Sequence, residues 1–110
     1  MFLGEFVFLD LETTGATVDA DRITEIGLIS VKDGVYQDEW QTLINPQRKI
    51  PFNIQMITGI DDPMVENAPT FSDIYESLFA RLDGKILVAH NVRFDYAFLR
   101  KEFKSNGIKY

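Results

Sequence analysis

Two carboxylates stand two residues apart at the end of an apolar stretch, where Asp10 and Glu12 follow the apolar residues 6–9. Side chains on a strand alternate between its faces, so residues i and i+2 point the same way, roughly 6.6 Å apart. At that separation and an effective dielectric constant of about 20, two negative charges repel by about 2 kcal/mol. A hard cation such as Mg²⁺ or Mn²⁺ removes this repulsion, and a pair of such ions assists phosphoryl transfer. A solvated strand end with incidental acids explains an isolated Asp-x-Glu equally well.

A second polar group lies where a short apolar stretch meets a predicted helix. Residues 86–89 are predicted to form a buried strand, followed by His90 and then Asp95. The carboxyl edge of a sheet is the usual ligand site in open α/β folds. If this strand lies parallel beside the first, Asp95 converges with Asp10 and Glu12. Taken singly, Asp95 is explained by the helix dipole and His90 by ordinary packing, whereas the three acids together favour a catalytic site.

The elements that must position these acids follow from hydrophobic periodicity and turn residues. The first strand is an almost continuous apolar run, a pattern typical of a central strand covered on both faces. A hairpin turn is expected at Asp33-Gly34, and short helical turns in the long connection between Pro46 and Pro69. The predicted strands cover residues 5–12, 23–32, 35–44 and 86–89, and the predicted helices cover residues 70–82 and 94–104.

The bulk composition indicates one globular domain without a membrane segment. The chain has 110 residues, 45% of them hydrophobic, and no apolar run approaches the ~20 residues that span a bilayer. No cysteine is present, so we expect any metal to be held by oxygen, and we expect a cytoplasmic location. The net charge of −6 argues against a broad basic face, but not against nucleic acid held through metal ions.

Two segments resemble the first and second motifs of the DEDD 3′-to-5′ exonucleases, the superfamily of the proofreading epsilon subunit of bacterial DNA polymerase III. These segments are residues 8–15, FLDLETTG, and residues 89–99, AHNVRFDYAFL. Residues 57–60, ITGI, resemble a further element between them. The resemblance covers nearly the whole chain in the expected order.

The resemblance implies an α/β, ribonuclease-H-like mixed sheet of order 3-2-1-4-5 with helices on its faces. It also implies two Mg²⁺ or Mn²⁺ ions and hydrolytic removal of nucleotides from a 3′ end, with DNA favoured over RNA. By motif position, the catalytic residues and metal ligands are Asp10, Glu12 and Asp95. The implied substrate-binding residues are Leu11, Thr13, Thr14, Gly15, Thr58, Gly59, Ile60, His90, Asn91 and Phe94. Arg93 occupies a position that is often small in the family; it could meet a phosphate or be solvated, and we favour solvation.

The third motif of the superfamily has no counterpart in this chain. That motif supplies a fourth acid and, in one subgroup, a histidine that acts as general base, whereas the only histidine here is His90. We therefore expect residues 1–110 to be a partial exonuclease domain that lacks the C-terminal strand and helix and is weakly active or inactive alone. The parent would be a polymerase subunit, a stand-alone nuclease or a fusion to a helicase or repair domain. The strand at residues 86–89 would then be an exposed edge, open to self-association or to a partner segment.

Two other functions remain open at this point. A module that binds nucleic-acid ends, or a scaffold, would have lost catalysis, although the retained acids argue against this. An aspartyl-phosphate phosphatase would use Asp10 as its nucleophile, but Glu12 is the wrong acid for the Asp-x-Asp-x-Thr pattern of that class.

Overall fold

The computed structural model describes residues 4–110 as four strands and four helices. None of the helices within these residues is long and apolar enough to cross a membrane. In chain order the elements are β1 (Glu5–Thr13), β2 (Ile23–Lys32), β3 (Val35–Leu43), α1 (Phe52–Thr58), α2 (Asp62–Val65), α3 (Phe71–Leu82), β4 (Ile86–Val88) and α4 (Val92–Ser105).

The first three strands form an antiparallel meander. Leu9 of β1 pairs with Leu28 of β2, which in turn pairs with Trp40 of β3. The β2–β3 hairpin turns at Asp33 and Gly34, whose φ angles of 52° and 79° both lie in the left-handed region. A two-residue turn with positive φ at both positions matches the twist of the flanking strands, which confirms the predicted hairpin.

The fourth strand pairs with β1 in parallel, so the sheet order is β3-β2-β1-β4. This confirms the predicted mixed sheet. The pairing runs only from Phe6 opposite Ile86 to Phe8 opposite Val88. Residues 9–13 of β1 therefore extend beyond the end of β4, and α4 begins next to this free stretch.

The hydrophobic core lies between one face of the sheet and helices α3 and α4. The N-terminus of α3 is held by a backbone hydrogen bond from Thr70 N–H to the Asp73 carboxylate, 2.9 Å. Ring edges pack between the helices, with the Phe71 and Phe103 centroids 5.3 Å apart. The buried core residues are Val7, Leu9, Leu11, Ile23, Ile26, Leu28, Ile44, Phe71, Leu78, Leu82, Phe98, Leu99 and Phe103.

The opposite face of the sheet is open within the described residues. Phe8 is 47% exposed and Ile29 is 41% exposed. The prediction that β1 is covered on both faces is therefore wrong for this part of the chain. An unbroken apolar run does not reveal which of its two faces is covered, because apolar side chains on both faces produce the same pattern.

The predicted element boundaries hold to within a few residues. Helices α1 and α2 are the short turns expected between Pro46 and Pro69, and α3 matches its prediction. Strands β3 and β4 each end one residue earlier than predicted, at Leu43 and Val88, and α4 begins two residues earlier, at Val92.

Candidate active site

Asp10 and Glu12 lie on the open side of β1. Asp10 is exposed, and its carboxylate takes part in no ion pair within the described residues. Burial raises the pKa of Glu12, and the neighbouring charges of Asp10 and Glu25 raise this pKa further. Glu25 stands opposite Glu12 in the β1–β2 register. The strand end therefore concentrates negative charge that the described residues do not neutralise.

Asp95 reaches the same strand from the first turn of α4. It is buried, and burial is the main cause that raises its pKa, with a further contribution from the charge of Asp10. Hydrogen bonds from the backbone N–H groups of Asp95 and Leu11 lower this pKa, as does the charge of His90. The bond from Leu11 places the Asp95 carboxylate against the part of β1 that extends beyond β4.

The charge of Asp10 thus contributes to the raised pKa of both Glu12 and Asp95. Among residues 4–110, no three Asp, Glu or His side chains stand together in a group that could hold a metal ion. The donor chemistry of the three acids nevertheless fits a hard divalent cation, which prefers carboxylate oxygens. Burial and mutual repulsion both disfavour the charged carboxylates, and a bound cation would offset both effects.

An open groove of about 730 Å³ crosses the uncovered sheet face and includes Asp10, but not Glu12 or Asp95, in its lining. Asp10 and His90 lie at the edge of this groove, and apolar side chains form its floor. The lining residues are Phe8, Leu9, Asp10, Gly27, Leu28, Ile29, Glu39, Trp40, Gln41, Val88, Ala89 and His90.

The loop after Glu12 is held by the carboxylate of Asp21. This carboxylate accepts hydrogen bonds from the Thr14 hydroxyl at 2.8 Å, from Thr17 N–H at 3.0 Å and from an Arg48 guanidinium NH at 2.9 Å. Gly15 leaves room for it, because a Cβ there would stand 2.5 Å from Asp21 Oδ2. Thr14 and Gly15 were predicted to contact substrate, and in the structure they shape the loop.

The same loop is joined to the helix that carries Asp95. The Lys101 ammonium donates to the backbone carbonyls of Val18 and Asp21, and Arg22 Nε lies 2.9 Å from Glu102 Oε2. Glu102 is 2% exposed. These contacts connect the strand end bearing Glu12 to the helix bearing Asp95.

Sequence reasoning missed this connection. One signal was available, because Glu102 falls on the buried stripe of α4 that also contains Phe98, Leu99 and Phe103. An acid on an apolar stripe requires a cation or several hydrogen bonds. That cation belongs to Arg22, which lies 80 positions away along the chain. No local sequence pattern therefore identifies it.

The predicted substrate contacts of the first motif are largely enclosed. The Leu11 side chain belongs to the core, and Thr13 is buried with its hydroxyl donating to the Gly15 carbonyl at 2.6 Å. Within residues 8–15, the positions that are exposed or partly exposed are Phe8, the two acids and Gly15.

The other predicted contacts divide between enclosed and open positions. The Thr58 hydroxyl donates to the Ile54 carbonyl at 2.9 Å, and Ile60 is buried in a small cluster with Ile50 and Val65. Gly59 is exposed and adopts a φ of 74° at the end of α1.

Beside Asp95, His90 and Asn91 are exposed, and Phe94 is partly buried with its ring centroid 4.8 Å from that of Phe98. His90 and Asn91 are thus the predicted contacts that the structure leaves open to a ligand near the acids. Arg93 is exposed, in agreement with its predicted solvation.

Comparisons with known proteins identify the family of this chain. The family model described as "Exonuclease" matches residues 7–110. A DNA polymerase III PolC-type protein of Thermotoga petrophila is 44% identical over 95 residues, which cover 86% of this chain and 7% of that protein. A 3′-5′ exonuclease DinG of Staphylococcus saprophyticus is 39% identical over 105 residues, which cover 96% of this chain and 12% of that protein.

Solved structures show the same fold. A product-bound structure of exonuclease I superposes with a TM-score of 0.85 at 20% identity, covering 98% of this chain and 27% of that chain. The described chain therefore spans a small part of each relative, at most about an eighth of the two sequence relatives. The family match over almost the whole chain and the identity to both relatives show that this chain belongs to the exonuclease family predicted from its two motifs.

Proposed function

We propose that this chain is the catalytic part of a metal-dependent 3′-to-5′ exonuclease that hydrolyses phosphodiester bonds at DNA 3′ ends. The observation that carries the proposal is the packing of α4, which has Asp95 in its first turn, against the strand that bears Asp10 and Glu12. One acid pair comes from β1 and the third acid comes from α4, as the two motifs of the family require. Relatives named as a 3′-5′ exonuclease and as a DNA polymerase III support the direction of cleavage and the choice of DNA.

The three carboxylates of Asp10, Glu12 and Asp95 would hold Mg²⁺ or Mn²⁺. When bound, such ions act as Lewis acids that stabilise negative charge on a reacting phosphate. The chain itself orients the acids: the Leu11 backbone fixes Asp95, and the Lys101 and Glu102 contacts fix the loop after Glu12. The exposed His90 and Asn91 would contact the terminal nucleotide beside these acids.

The segment between the two motifs would complete the nucleotide pocket. Residues 57–60 end α1, and the side chain of Ile57 is exposed while Ile60 anchors the segment in its small cluster. By resemblance, this segment would lie near the base and sugar of the terminal nucleotide. By resemblance, Thr13 would lie against the same nucleotide.

We further propose that residues 1–110 supply only part of the catalytic machinery. Glu102 is the only acid after Asp95, and its carboxylate is buried against Arg22, so it cannot serve as a fourth ligand. We therefore expect slow turnover from this chain alone. The parent protein would be a polymerase or a fusion with a repair or helicase domain, acting in the cytoplasm, and the β4 edge would pair with a partner segment or a second copy.

The test uses a single-stranded DNA labelled at its 5′ end and incubated with Mg²⁺ or Mn²⁺. We expect a ladder of products shortened one nucleotide at a time from the 3′ end, abolished by EDTA. Asp10→Asn and Asp95→Asn should lower the rate by about 100-fold or more, the scale seen when transition-state charge stabilisation is lost. Asp38→Asn removes an exposed strand acid far from the motifs and should leave the rate unchanged.

Internal cleavage, or release from the 5′ end, would contradict the proposal. Binding of DNA with no metal-dependent shortening would favour the alternative of a module that binds nucleic-acid ends without catalysis. A rapid turnover comparable to complete exonucleases would contradict only the statement that the machinery is partial.

A further inference from the structure

Four exposed cations lie along α4 and the segment that follows it. Arg93, Arg100, Lys104 and Lys109 form no ion pair or side-chain hydrogen bond among the described residues. We call these four residues the α4 basic face. Helix α4 carries three of them, and it also carries Asp95 in its first turn, on its buried side and roughly 140–180° around the axis from the three cations. A strand whose end lies at Asp95 would therefore reach this face around the N-terminal end of α4.

The cations elsewhere in the described chain are mostly engaged. Arg22, Lys32, Arg48 and Lys85 each pair with a carboxylate. Lys101 binds backbone carbonyls, and Arg81 stacks over the Trp40 ring at 4.8 Å from its centroid. Apart from Lys49, the unengaged cations of a chain with net charge −6 are therefore gathered on one surface.

No exposed acid interrupts this surface along α4. The acids within residues 92–110 are Asp95 and Glu102, and both are buried. Asp83 approaches the far end, where its charge and that of Tyr96 add to burial in raising the pKa of Tyr110. Asp83 pairs with none of the four cations in residues 4–110.

The helical geometry aligns these side chains. At 3.6 residues per turn, positions 93, 100 and 104 fall within about 40° of one another, and position 96 lies next to them. Tyr96, Arg100, Lys104, Lys109 and Tyr110 line one cavity of about 580 Å³. The 14 residues of α4 span about 21 Å at 1.5 Å per residue, so the surface extends well beyond the acids.

We propose that the α4 basic face binds the phosphodiester backbone of the substrate strand on the 5′ side of the nucleotide being removed. The inference rests on the proposed function, because it requires the 3′ end to lie at Asp10, Glu12 and Asp95. A strand with one phosphate every 3.4 Å or more places several phosphates along a 21 Å helix. The partly exposed Tyr96 ring offers a base a surface for stacking among these cations.

The first test measures binding without cleavage. A labelled single-stranded 12-mer is titrated in EDTA at several salt concentrations, and anisotropy reports the affinity. Each lost phosphate contact removes about 0.7 from the slope of log K against log salt, so Arg100→Gln/Lys104→Gln should lower the slope by about 1.4 and the affinity roughly tenfold. Lys32→Gln/Lys85→Gln changes the net charge equally on another surface and should bind like the unaltered protein.

The second test separates this surface from the catalytic proposal by comparing a dinucleotide with the 12-mer. Arg100→Gln/Lys104→Gln should raise the KM for the 12-mer about tenfold and leave the KM for the dinucleotide unchanged. If the variants and the unaltered protein shorten the 12-mer with the same KM, the basic-face proposal is overturned while the exonuclease proposal stands. A binding difference without any shortening would overturn the exonuclease proposal and the assignment to the 5′ side, while the α4 basic face would still be a surface that binds the DNA backbone.

Three further outcomes would overturn the surface assignment. One is equal salt slopes for the two double variants. Another is no binding of the 12-mer by the unaltered protein. The last is displacement of the 12-mer by polyglutamate of the same charge at the same concentration, which would identify an acidic polypeptide as the partner.

Discussion

At the level of single residues, the acids that would perform catalysis oppose folding. Asp10 adds to the burial that raises the pKa values of Glu12 and Asp95, and no side-chain hydrogen bond compensates its charge within the described residues. Because the charged forms are disfavoured in the folded state, the acid cluster lowers the free energy of unfolding at neutral pH. A bound cation would instead raise the free energy of unfolding.

Replacing Asp10 by Asn should therefore stabilise the chain when no metal is present. We expect an increase of about 1 kcal/mol after solvent screening, which raises Tm by roughly 4 °C in EDTA. Addition of Mg²⁺ or Mn²⁺ should raise the Tm of the unaltered protein and leave that of Asp10→Asn almost unchanged. Differential scanning calorimetry measures both effects.

Asp38→Asn is the matched control, since it removes an exposed strand acid outside the cluster. Its Tm in EDTA should stay close to that of the unaltered protein, and its response to metal should be retained. A lower Tm for Asp10→Asn in EDTA would show that Asp10 supports the fold in a way that its contacts do not reveal.

Gly15 tests the role of Asp21 in the loop after Glu12. In Gly15→Ala the new Cβ would stand 2.5 Å from Asp21 Oδ2, so the carboxylate must leave its bonds to Thr14, Thr17 and Arg48. We expect a loss of about 2 kcal/mol in the free energy of unfolding, measured by urea titration. In an Asp21→Ala background the same change should cost less than half as much. Equal costs in both backgrounds would show that the clash is not with Asp21.

The individual acids were predictable because their signals are local. Asp10 and Glu12 follow one apolar run, and Asp95 stands a few residues after another. The bonds that fix the neighbouring loop were not predictable, since Arg48 lies 27 positions from Asp21 and Lys101 lies 80 positions from it. Side-chain contacts over such distances depend on the finished packing and leave no periodic pattern.

At the level of elements, α4 has two functions on two faces. Its buried face joins the core through Phe98, Leu99 and Phe103 and binds Arg22 through Glu102, while its outer face presents unpaired cations. A hydrophobic periodicity of 3.6 predicts the first face. It predicts the second only as a solvated surface, because charge periodicity alone does not distinguish a binding face from an ordinary exposed one.

The Arg22–Glu102 pair should respond unequally to loss of either partner. Arg22→Met leaves a carboxylate that is 2% exposed without its cation, for which we expect a loss of about 3 kcal/mol or more. Glu102→Gln leaves the Arg22 side chain, which is 32% exposed and open to hydration, for an expected loss of about 1 kcal/mol. Urea unfolding of the two variants measures the difference. Equal losses would show that Arg22 is as poorly hydrated as Glu102.

At the level of the whole molecule, the sheet has one covered face and one open face within residues 4–110. The strand order was predictable from the motifs, whereas the open face was not, because Phe8 and Ile29 have the composition of core residues. The open face meets the β4 edge, where Ile86 is 44% exposed. An apolar face that continues to an unpaired strand edge favours pairing with another chain.

We therefore expect the 110-residue chain to self-associate through β4. Pairing between two copies of β4 would satisfy free backbone groups and shield the apolar side chains at that edge. Since β4 has three residues, the interface would be small and the association weak, detectable by sedimentation velocity as the concentration rises towards about 1 mM.

Ile86→Lys should make the chain monomeric, because a charge at the edge opposes pairing. Val35→Lys places the same charge on β3 at the other edge, where Val35 is 61% exposed, and should leave association unchanged. Dissociation by Val35→Lys alone would assign the interface to β3, and a monomer at every concentration would show that neither edge pairs.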